Sequence, residues 1–325
     1  MPNNSCRDLT NGSHLMSKKA QFAVFSPQAG LTWKALLDRT KLCEKLGYHS
    51  IWLVDHMWTG QMPDLDHVEC LTAMSGLAAA TEKIRIGTLV ICNSYRNPAL
   101  LAKSLCTIDQ ISGGRLEIGV GAGWMAEEYK AYGYEFPSMG VRLKQFAEGL
   151  EILKQMLTEK RANFKGRYYT IADAPNNPKG VQQPHPPITI GGGGEKVMLR
   201  LVAKYADRWN CPAGYESFEQ KYGVLKQHCK DIGRDVNSID VSEQLLVCIG
   251  KTEDEVAEKW KMASRLRPFS ITGIKGTPKQ LIEQLKNRMS QGITTFTIFF
   301  SDIAPPDKTR EAIEFFAREV MPAFA

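Results

Sequence analysis

Short apolar segments alternate with helix-like segments along this chain, and this alternation restricts its fold more than any other feature. Each apolar segment has the length and composition of a buried strand. The predicted strands are Phe22–Ser26, Ser50–Asp55, Ile84–Ile91, Leu116–Val120, Ile188–Ile190, Asp207–Asn210, Ile239–Ile249 and Thr294–Phe300. Strands that are separated by helices pair in parallel through right-handed crossovers, so a barrel and a doubly wound sheet both fit. The number of strands and a last helix at Thr309–Val320 favour the α/β fold of a (β/α)8 TIM barrel.

Helical spacing of apolar residues predicts helices between these strands. The predicted helices are Thr32–Leu46, Cys70–Thr81, Pro98–Ile111, Arg142–Leu157, Glu195–Tyr205, Phe218–Ile232, Glu253–Leu266, Pro278–Gln291 and Thr309–Val320. The pattern breaks at Lys165–Pro187, where several prolines predict a surface insertion after the fourth strand–helix unit. A glycine-containing loop is predicted at Arg267–Gly276. Residues 1–20 are predicted to be a disordered leader, which leaves residues 21–325 as a single domain.

Composition and charge argue against several classes of protein. The 325 residues carry a net charge of +6 with basic and acidic side chains interleaved, so we expect no nucleic-acid partner. No apolar run has the length of a membrane span, so we expect no membrane association. Eight cysteines are scattered without a C-x-x-C pair, which indicates a reducing, cytoplasmic location. The histidine spacing gives no metal motif, and no G-x-S-x-G elbow supports a serine hydrolase.

The fourth predicted strand runs into alternating glycines and a tryptophan, Gly119-Val-Gly-Ala-Gly-Trp124. Glycines allow a backbone to approach a flat or charged group closely, and a tryptophan supplies an apolar wall. The active site of a barrel lies at the carboxyl ends of its strands, so this motif predicts one wall of a pocket. The alternative is a tight turn with a core tryptophan.

Polar residues also follow the second and third predicted strands. Asp55 and His56 end the second strand with Trp58 close by, and an acid beside an imidazole can donate, accept or steer a proton near neutral pH. The alternative is that Asp55 caps the next element and that His56 is a surface residue. After the third strand, Asn93 and Ser94 are candidates to hydrogen-bond a ligand, and turn formation is their alternative role.

Four glycines, Gly191 to Gly194, separate the fifth strand from a helix that is predicted to begin at Glu195. Glycines leave backbone N–H groups unobstructed, and the start of a helix adds free N–H groups and a positive dipole end. This combination predicts a phosphate site that includes Glu195 and Lys196. The motif is neither a Walker loop nor G-x-G-x-x-G, and a flexible connector is the alternative.

Five motifs of this sequence occur together in one known superfamily. They are Ser50-Ile-Trp-Leu-Val-Asp-His56, Ser94-Tyr-Arg-Asn-Pro-Ala-Leu-Leu-Ala-Lys103, Ile111-Ser-Gly-Gly-Arg-Leu-Glu-Ile-Gly-Val-Gly-Ala-Gly-Trp124, Glu128-Tyr-Lys-Ala-Tyr-Gly133 and Ile190-Gly-Gly-Gly-Gly-Glu-Lys196. On these motifs, the segment from Gln21 to Phe324 resembles the luciferase-like monooxygenases, and within them the coenzyme F420-dependent oxidoreductases. F420 and FMN branches share this scaffold, so the motifs are less specific for the cofactor.

The resemblance implies a TIM barrel with the cofactor at its carboxyl end and the phosphate near Gly191 to Lys196. It also implies a non-proline cis peptide at Leu89-Val90, behind the deazaflavin ring. The residues predicted to bind the cofactor are Asp55, Leu89, Val90, Cys92, Asn93, Gly191, Gly192, Gly193, Gly194, Glu195 and Lys196. The predicted catalytic residues are His56 and Trp124. Some sugar-phosphate dehydrogenases of this branch have a catalytic glutamate at the position of Trp124, so the tryptophan argues against that substrate class.

These expectations describe an oxidoreductase that transfers a hydride between coenzyme F420 and a small organic substrate. An FMN-dependent monooxygenase that uses O2 and externally supplied reduced flavin is the first alternative. A non-catalytic flavin-binding protein is the second. The resemblance also implies a homodimer.

Overall fold

The computed structural model describes residues 19–58, 62–211, 217–263, 273–301 and 306–325. Within these ranges, eight parallel strands pair side by side into a closed barrel. The barrel strands are β1 Gln21–Phe25, β2 Ser50–Leu53, β3 Arg85–Thr88, β4 Leu116–Gly121, β5 Ile188–Gly191, β6 Arg208–Cys211, β7 Asp240–Ile249 and β8 Thr295–Phe300. The ring closes where β8 pairs with β1 and Thr295 lies opposite Gln21. The structure confirms the predicted (β/α)8 TIM barrel.

Helices surround the barrel and connect its strands. They are α1 Trp33–Lys45, α2 Cys70–Ala80, α3 Pro98–Ser112, α4 Ala126–Ala131, α5 Met139–Thr158, α6 Met198–Tyr205, α7 Phe218–Asp231, α8 Glu253–Ala263, α9 Pro278–Ser290 and α10 Pro306–Glu319. The side chain of Asn97 accepts hydrogen bonds from the first turn of α3, directly before Pro98. Both residue types are favoured at a helix start, which explains why the predicted start of α3 is correct.

Some predicted elements differ from the structure. The sequence predicts one strand at Ile84–Ile91, but in the structure β3 ends at Thr88. After a break at Leu89 and Val90, Ile91–Cys92 pairs with β4 as a separate short strand. The helix α4 lies where the sequence predicts no helix, because its six residues are too few to show an apolar period.

Two further differences lie in the second half of the chain. The helix α6 begins at Met198 and not at Glu195, because residues 195–197 form a turn. Ile274–Gly276 pairs in parallel with β7 as a short strand, so this part of the predicted loop is wrong. The rest of that loop, residues 267–272, and the predicted leader up to residue 18 lie outside the described residues.

A tryptophan fills the interior of the barrel. Trp52 of β2 packs with Phe25 and is 2% exposed. A Cβ atom at Gly87 would lie 2.9 Å from Trp52 Cδ2, and a Cβ atom at Gly119 would lie 1.8 Å from the carbonyl oxygen of Thr88. The close approach that glycine permits at Gly119 is therefore made to protein atoms of the neighbouring strand.

The insertion between α5 and β5 reaches the amino end of the barrel. It begins as an antiparallel hairpin of Ala162–Lys165 and Thr170–Ala174. Gln182 then accepts a hydrogen bond from Arg85 Nη2 at 2.7 Å and donates one to the carbonyl oxygen of Leu116 at 2.9 Å. These contacts hold the insertion against the first residues of β3 and β4.

A buried ion cluster lies inside the same end of the barrel. Arg85 Nε is 2.5 Å from Glu117 Oε1, and Arg208 Nη1 is 2.8 Å from Glu117 Oε2. Each oxygen of the carboxylate thus has a guanidinium partner. Moving one of these strands away from the others would break an ion pair and leave a buried charge without its counter-ion, which is unfavourable. The cluster therefore holds β3, β4 and β6 in place relative to one another.

Three further observations concern helix apolarity, possible metal ligands and cysteines among the described residues. No helix among them has the length and apolarity needed to cross a membrane. No group of three His, Cys, Asp or Glu side chains in the described ranges could hold a metal ion. The cysteines of these ranges, from Cys43 to Cys248, are buried thiols.

Candidate active site

The predicted histidine lies at the carboxyl end of the barrel and binds a buried glutamate. His56 follows β2, and its Nδ1 atom is 2.8 Å from Glu128 Oε2 in α4. The side chain of His56 is 27% exposed, whereas that of Glu128 is 0% exposed. The pair joins residues 72 positions apart in the sequence. An imidazole that is anchored by a buried acid at one nitrogen can exchange a proton at the other.

Glu128 accepts hydrogen bonds on both of its carboxylate oxygens. Tyr95 donates its hydroxyl to Oε2 at 2.7 Å, and the backbone N–H of Met57 donates to Oε1 at 2.6 Å. The N–H of Trp58 donates to Oε1 at 3.4 Å. Burial alone would raise the pKa of Glu128, but the hydrogen bonds from His56 and Tyr95 outweigh burial and hold this pKa below its usual range. Glu128 is therefore a carboxylate at neutral pH.

Asp55, the other member of the predicted acid–imidazole pair, is turned towards a different partner. Its carboxylate forms a bidentate pair with Arg96, with N–O distances of 2.6 and 2.8 Å. It also accepts the backbone N–H of Cys92 at 2.9 Å. Arg96 in turn binds Glu69 at the start of α2. Asp55 thus connects β2 to the segment after β3, and the structure does not pair it with His56.

The peptide between Leu89 and Val90 is cis, which confirms the bond implied by the resemblance. Leu89 packs on the interior cluster that contains Trp52. The side chain of Val90 lies across the carboxyl end of the barrel. A Cβ atom at Gly121 would be 2.6 Å from Val90 Cγ2, and one at Gly191 would be 3.2 Å from Val90 Cγ1.

The predicted cofactor residues Cys92 and Asn93 make contacts away from this surface. Cys92 Sγ lies 3.0 Å from the hydroxyl of Tyr129 in α4, and burial raises the pKa of the thiol to about 11. Asn93 donates to the hydroxyl of Tyr169 at 3.2 Å and packs against Gly149 of α5. Both side chains are buried, and they brace the segment that carries Tyr95.

Aromatic side chains form one side of the site. The indole of Trp124 is 68% exposed and stands edge-on to the ring of His56, with centroids 5.5 Å apart and planes at 79°. Trp58 stacks on Tyr132 with centroids 5.7 Å apart. The structure therefore brings the predicted residues His56 and Trp124 into contact, and the backbone of Trp58 lies on the same glutamate as His56. The alternative of a core tryptophan at position 124 is wrong.

The carbonyl groups of Gly192 and Gly193, in the glycine loop after β5, are turned towards β6 and α7. Trp209 Nε1 donates to the carbonyl oxygen of Gly192 at 2.8 Å, and Lys221 Nζ donates to that of Gly193 at 2.9 Å. The N–H group of a trans peptide points opposite to its carbonyl group. The N–H groups of Gly193 and Gly194 therefore point away from β6 and α7, and neither donates to a main-chain acceptor among the described residues.

The two residues after the glycines differ in their surroundings. The carboxylate of Glu195 accepts a hydrogen bond from Gln220 at 2.8 Å and lies 3.9 Å from Lys221 Nζ, so it faces α7. His228 donates to the carbonyl oxygen of Glu195 at 2.8 Å, which by the same peptide geometry turns the N–H of Lys196 away from α7. The side chain of Lys196 is exposed.

Sequence reasoning does not identify Glu128, Tyr95 or Arg96 as site residues. Glu128 stands next to Glu127 in α4, and no local pattern shows that the first is buried and the second exposed. Each of the three acts on a residue at least 33 positions away. The family motif that contains Glu128 is the one signal that points to it, and it assigns no role to this residue.

Comparison with known proteins gives the family. A family model described as luciferase-like monooxygenase matches residues 14–292. An F420-dependent glucose-6-phosphate dehydrogenase of Amycolatopsis mediterranei is 32% identical over 244 residues, which cover 74% of this chain and 71% of the relative. An FMNH(2)-dependent dimethylsulfone monooxygenase of Pseudomonas putida is 31% identical over 205 residues, which cover 59% of this chain and 56% of the relative.

A solved structure of an F420-dependent secondary alcohol dehydrogenase, in complex with an F420-acetone adduct, has the same fold. It matches with a TM-score of 0.82 at 20% identity and covers 94% of this chain and 99% of its own. The relatives are named as enzymes that use a deazaflavin or a flavin, so this chain is an enzyme with a cofactor of that class. The chain belongs to the luciferase-like monooxygenase family.

Proposed function

We propose that this enzyme transfers a hydride between coenzyme F420 and a small organic substrate that is an alcohol or the corresponding carbonyl compound. The observation that carries the proposal is the imidazole of His56, which is partly exposed at the carboxyl end of the barrel and anchored by Glu128. Hydride transfer to or from a carbinol carbon requires a proton to leave or reach its oxygen, and a held imidazole performs this step near neutral pH. The F420-dependent relative that aligns over 74% of this chain supports the choice of cofactor.

The glycine loop fits a phosphate-bearing cofactor. The N–H groups of Gly193 and Gly194 are turned away from the protein acceptors around the loop, and Lys221 holds the loop from the opposite side through the carbonyl oxygen of Gly193. Gly192 has a φ of 135°, and a Cβ atom there would lie 2.8 Å from Met198 Cγ, so a larger residue would disturb the loop. These features together suit the binding of an anion. Bound F420 would supply the hydride acceptor or donor.

His56 and Trp124 would share the substrate side of the site. In alcohol oxidation, His56 Nε2 would accept the hydroxyl proton as the carbonyl double bond forms, and the carbinol hydride would pass to bound F420. Carbonyl reduction reverses each of these transfers. The indole of Trp124 has no titratable group near neutral pH, so it contributes an apolar surface and leaves the proton to His56.

Binding and turnover test this function in two steps. F420 and FMN are titrated separately into the purified full-length protein, and the fluorescence of each is followed. We expect F420 to bind and FMN not to bind. Oxidised F420 is then incubated with a panel of alcohols, and reduced F420 with the matching carbonyl compounds. A loss of deazaflavin absorbance with at least one alcohol, or its recovery with the matching carbonyl compound, supports the proposal. Binding of F420 without turnover of any compound in the panel contradicts it.

An FMN-dependent monooxygenase is the second candidate, and the Pseudomonas putida relative favours it. In that case FMN binds in the titration and F420 does not. The protein would then consume O2 when an external reductase supplies reduced FMN. Oxygen uptake that depends on both substrate and reduced FMN would replace the F420 proposal.

A further inference from the structure

The hydrogen bonds around Glu128 determine which nitrogen of His56 carries a proton. An ionised carboxylate has only acceptor sites. Glu128 Oε2 lies 2.8 Å from His56 Nδ1, so the proton of this hydrogen bond belongs to Nδ1. A neutral imidazole has one N–H group and one lone pair. Nε2, on the far side of the ring, therefore carries the lone pair.

The charge on Glu128 does not depend on His56 alone. Tyr95 donates to the same Oε2 atom at 2.7 Å, and the N–H of Met57 donates to Oε1 at 2.6 Å. All of these groups donate hydrogen bonds to the carboxylate. If Glu128 were protonated, its own O–H group would have to face one of these donors, which is unfavourable. The surroundings thus stabilise the anion of Glu128 in either tautomeric state of the imidazole.

We propose that Glu128 is a positioning residue that holds neutral His56 as the Nδ1–H tautomer, so that Nε2 accepts the substrate proton. The role of Nε2 in the reaction rests on the proposed function. The tautomer does not, because it follows from contacts within the protein. Anchoring by a second group that fixes the tautomer and the orientation of a catalytic imidazole is a general device of acid–base catalysis.

The variant Glu128→Gln gives a sharp test because its amide can fit in only one orientation. If the amide oxygen faced His56, its NH2 group would meet the N–H of Met57, donor against donor. The amide oxygen must therefore face Met57, and the NH2 group faces Nδ1. His56 then has to present a lone pair at Nδ1 and carry its proton on Nε2. The substitution preserves the shape of the side chain and reverses the tautomer.

Histidine nitrogen NMR reads the tautomer directly. The full-length protein is labelled with ¹⁵N-histidine, and the six histidines are resolved by long-range ¹H–¹⁵N correlation, with His56→Ala assigning the signal of His56. At a pH where His56 is neutral, we expect a protonated Nδ1 and a bare Nε2 in the unmodified protein. We expect the opposite pattern in Glu128→Gln. A protonated Nε2 in the unmodified protein, or an unchanged pattern in Glu128→Gln, would overturn the proposal.

Two control variants separate positioning from general damage. Glu127→Gln changes the exposed neighbour of Glu128 in α4 and should leave the tautomer unchanged. Tyr95→Phe removes one donor from Glu128 Oε2 but keeps the carboxylate, so the Nδ1–H tautomer should persist. Reversal in either control would show that Glu128 is not the determining group.

Kinetics connect the tautomer to catalysis. We expect Glu128→Gln to lower kcat by about 10²- to 10⁴-fold, the range of general acid–base catalysis, with KM changed by less than about threefold. Glu128→Asp keeps the charge and should recover part of the rate. Equal losses in Glu128→Asp and Glu128→Gln, with the tautomer intact in the first, would contradict the positioning role. If no F420-dependent turnover exists, the proposed function fails while the NMR result still decides the tautomer.

Discussion

Two buried glutamates at opposite ends of the barrel have different partners. Glu117, at the amino end, is 1% exposed and binds the guanidinium groups of Arg85 and Arg208. Glu128, at the carboxyl end, is 0% exposed and binds His56. Arginine stays protonated at every physiological pH, whereas histidine gains or loses its proton near neutrality. The same acid at the same burial therefore has a permanently charged partner at one end and, at the other end, the imidazole for which we propose proton transfer.

The two ends also differ in access to solvent. Arg208 is 6% exposed in its side chain, and the insertion covers its end of the barrel through Gln182. His56 keeps 27% of its side chain exposed next to Trp124. The amino end stabilises the barrel, and the carboxyl end leaves groups available for ligands. Substitutions at the two ends should therefore affect different measurements.

The largest effect is expected from His56→Ala at the carboxyl end. Removing the imidazole should lower kcat by about 10²- to 10⁴-fold, because no other group would transfer the substrate proton. Affinity for F420 and the melting temperature should change little. Steady-state kinetics, cofactor titration and thermal unfolding check the three quantities. Activity within about threefold of the unmodified enzyme would exclude His56 from proton transfer.

Glu117→Ala at the amino end should act on stability. The substitution removes the counter-ion of the buried Arg208 and of the partly exposed Arg85, and breaking a buried pair typically costs about 3–5 kcal/mol of unfolding free energy. Urea denaturation measures this loss, and the exposed Glu82→Ala serves as the control, with an effect within about 0.5 kcal/mol. A loss below about 1 kcal/mol would mean that the ion cluster is not what holds this end together.

Gly192→Val should weaken cofactor binding without a matching loss of stability. The added side chain would meet Met198, and the φ of 135° disfavours any residue other than glycine. We expect the Kd for F420 to rise about tenfold or more, equivalent to about 1.4 kcal/mol. Gly223→Ala in α7 is the matched control, because a Cβ atom there meets nothing within 4 Å. Unchanged affinity for F420 would mean that the glycine loop does not bind the phosphate of the cofactor.

The smallest effect concerns His49, which lies near the ion cluster at the amino end. Burial lowers its pKa from 6.5 to about 4, an effect that Glu117 opposes and Arg208 and Arg85 reinforce. Between these two pH values the unfolded chain binds more protons than the folded chain, so stability should fall as the pH falls through this window. We expect a loss of about 1 kcal/mol, reduced from the full linkage value because the ring is only partly buried. Thermal unfolding of the unmodified protein and of His49→Gln, each at pH 7 and at pH 4.5, measures how much stability each protein loses on acidification. An equal loss in both proteins would show that His49 is not the source of this pH dependence.

Features that depend on neighbouring residues can be predicted from the sequence. The barrel follows from alternating segments of two periodicities, and the start of α3 follows from Asn97 and Pro98. His56 and Trp124 are predicted as site residues from their positions after β2 and β4, and the structure brings their two rings together at that end of the barrel. The glycine loop is recognisable because four consecutive glycines directly after a strand leave a row of unobstructed N–H groups.

Features that depend on distant partners cannot be predicted in this way. Asp55 and His56 are adjacent in sequence and are expected to act together, yet Asp55 binds Arg96 and His56 binds Glu128. Which acid is buried and which nitrogen it meets depend on how α4 packs, and six residues give no periodic signal. The predicted start of α6 is too early because no residue between Glu195 and Val197 is a strong stop or cap.

The indole of Trp52 has a consequence for the kinetics of the enzyme. It packs with Phe25 and Val54 in the buried cluster inside the barrel, and the ion cluster of Glu117 lies at the amino end. We expect two ligands that bind at the carboxyl end to enter from the solvent side of that end. We expect the ligand that lies deeper to arrive first and depart last, and product-inhibition kinetics would show this as a compulsory order of binding and release. Such an order would be a kinetic consequence of a side chain at the centre of the fold.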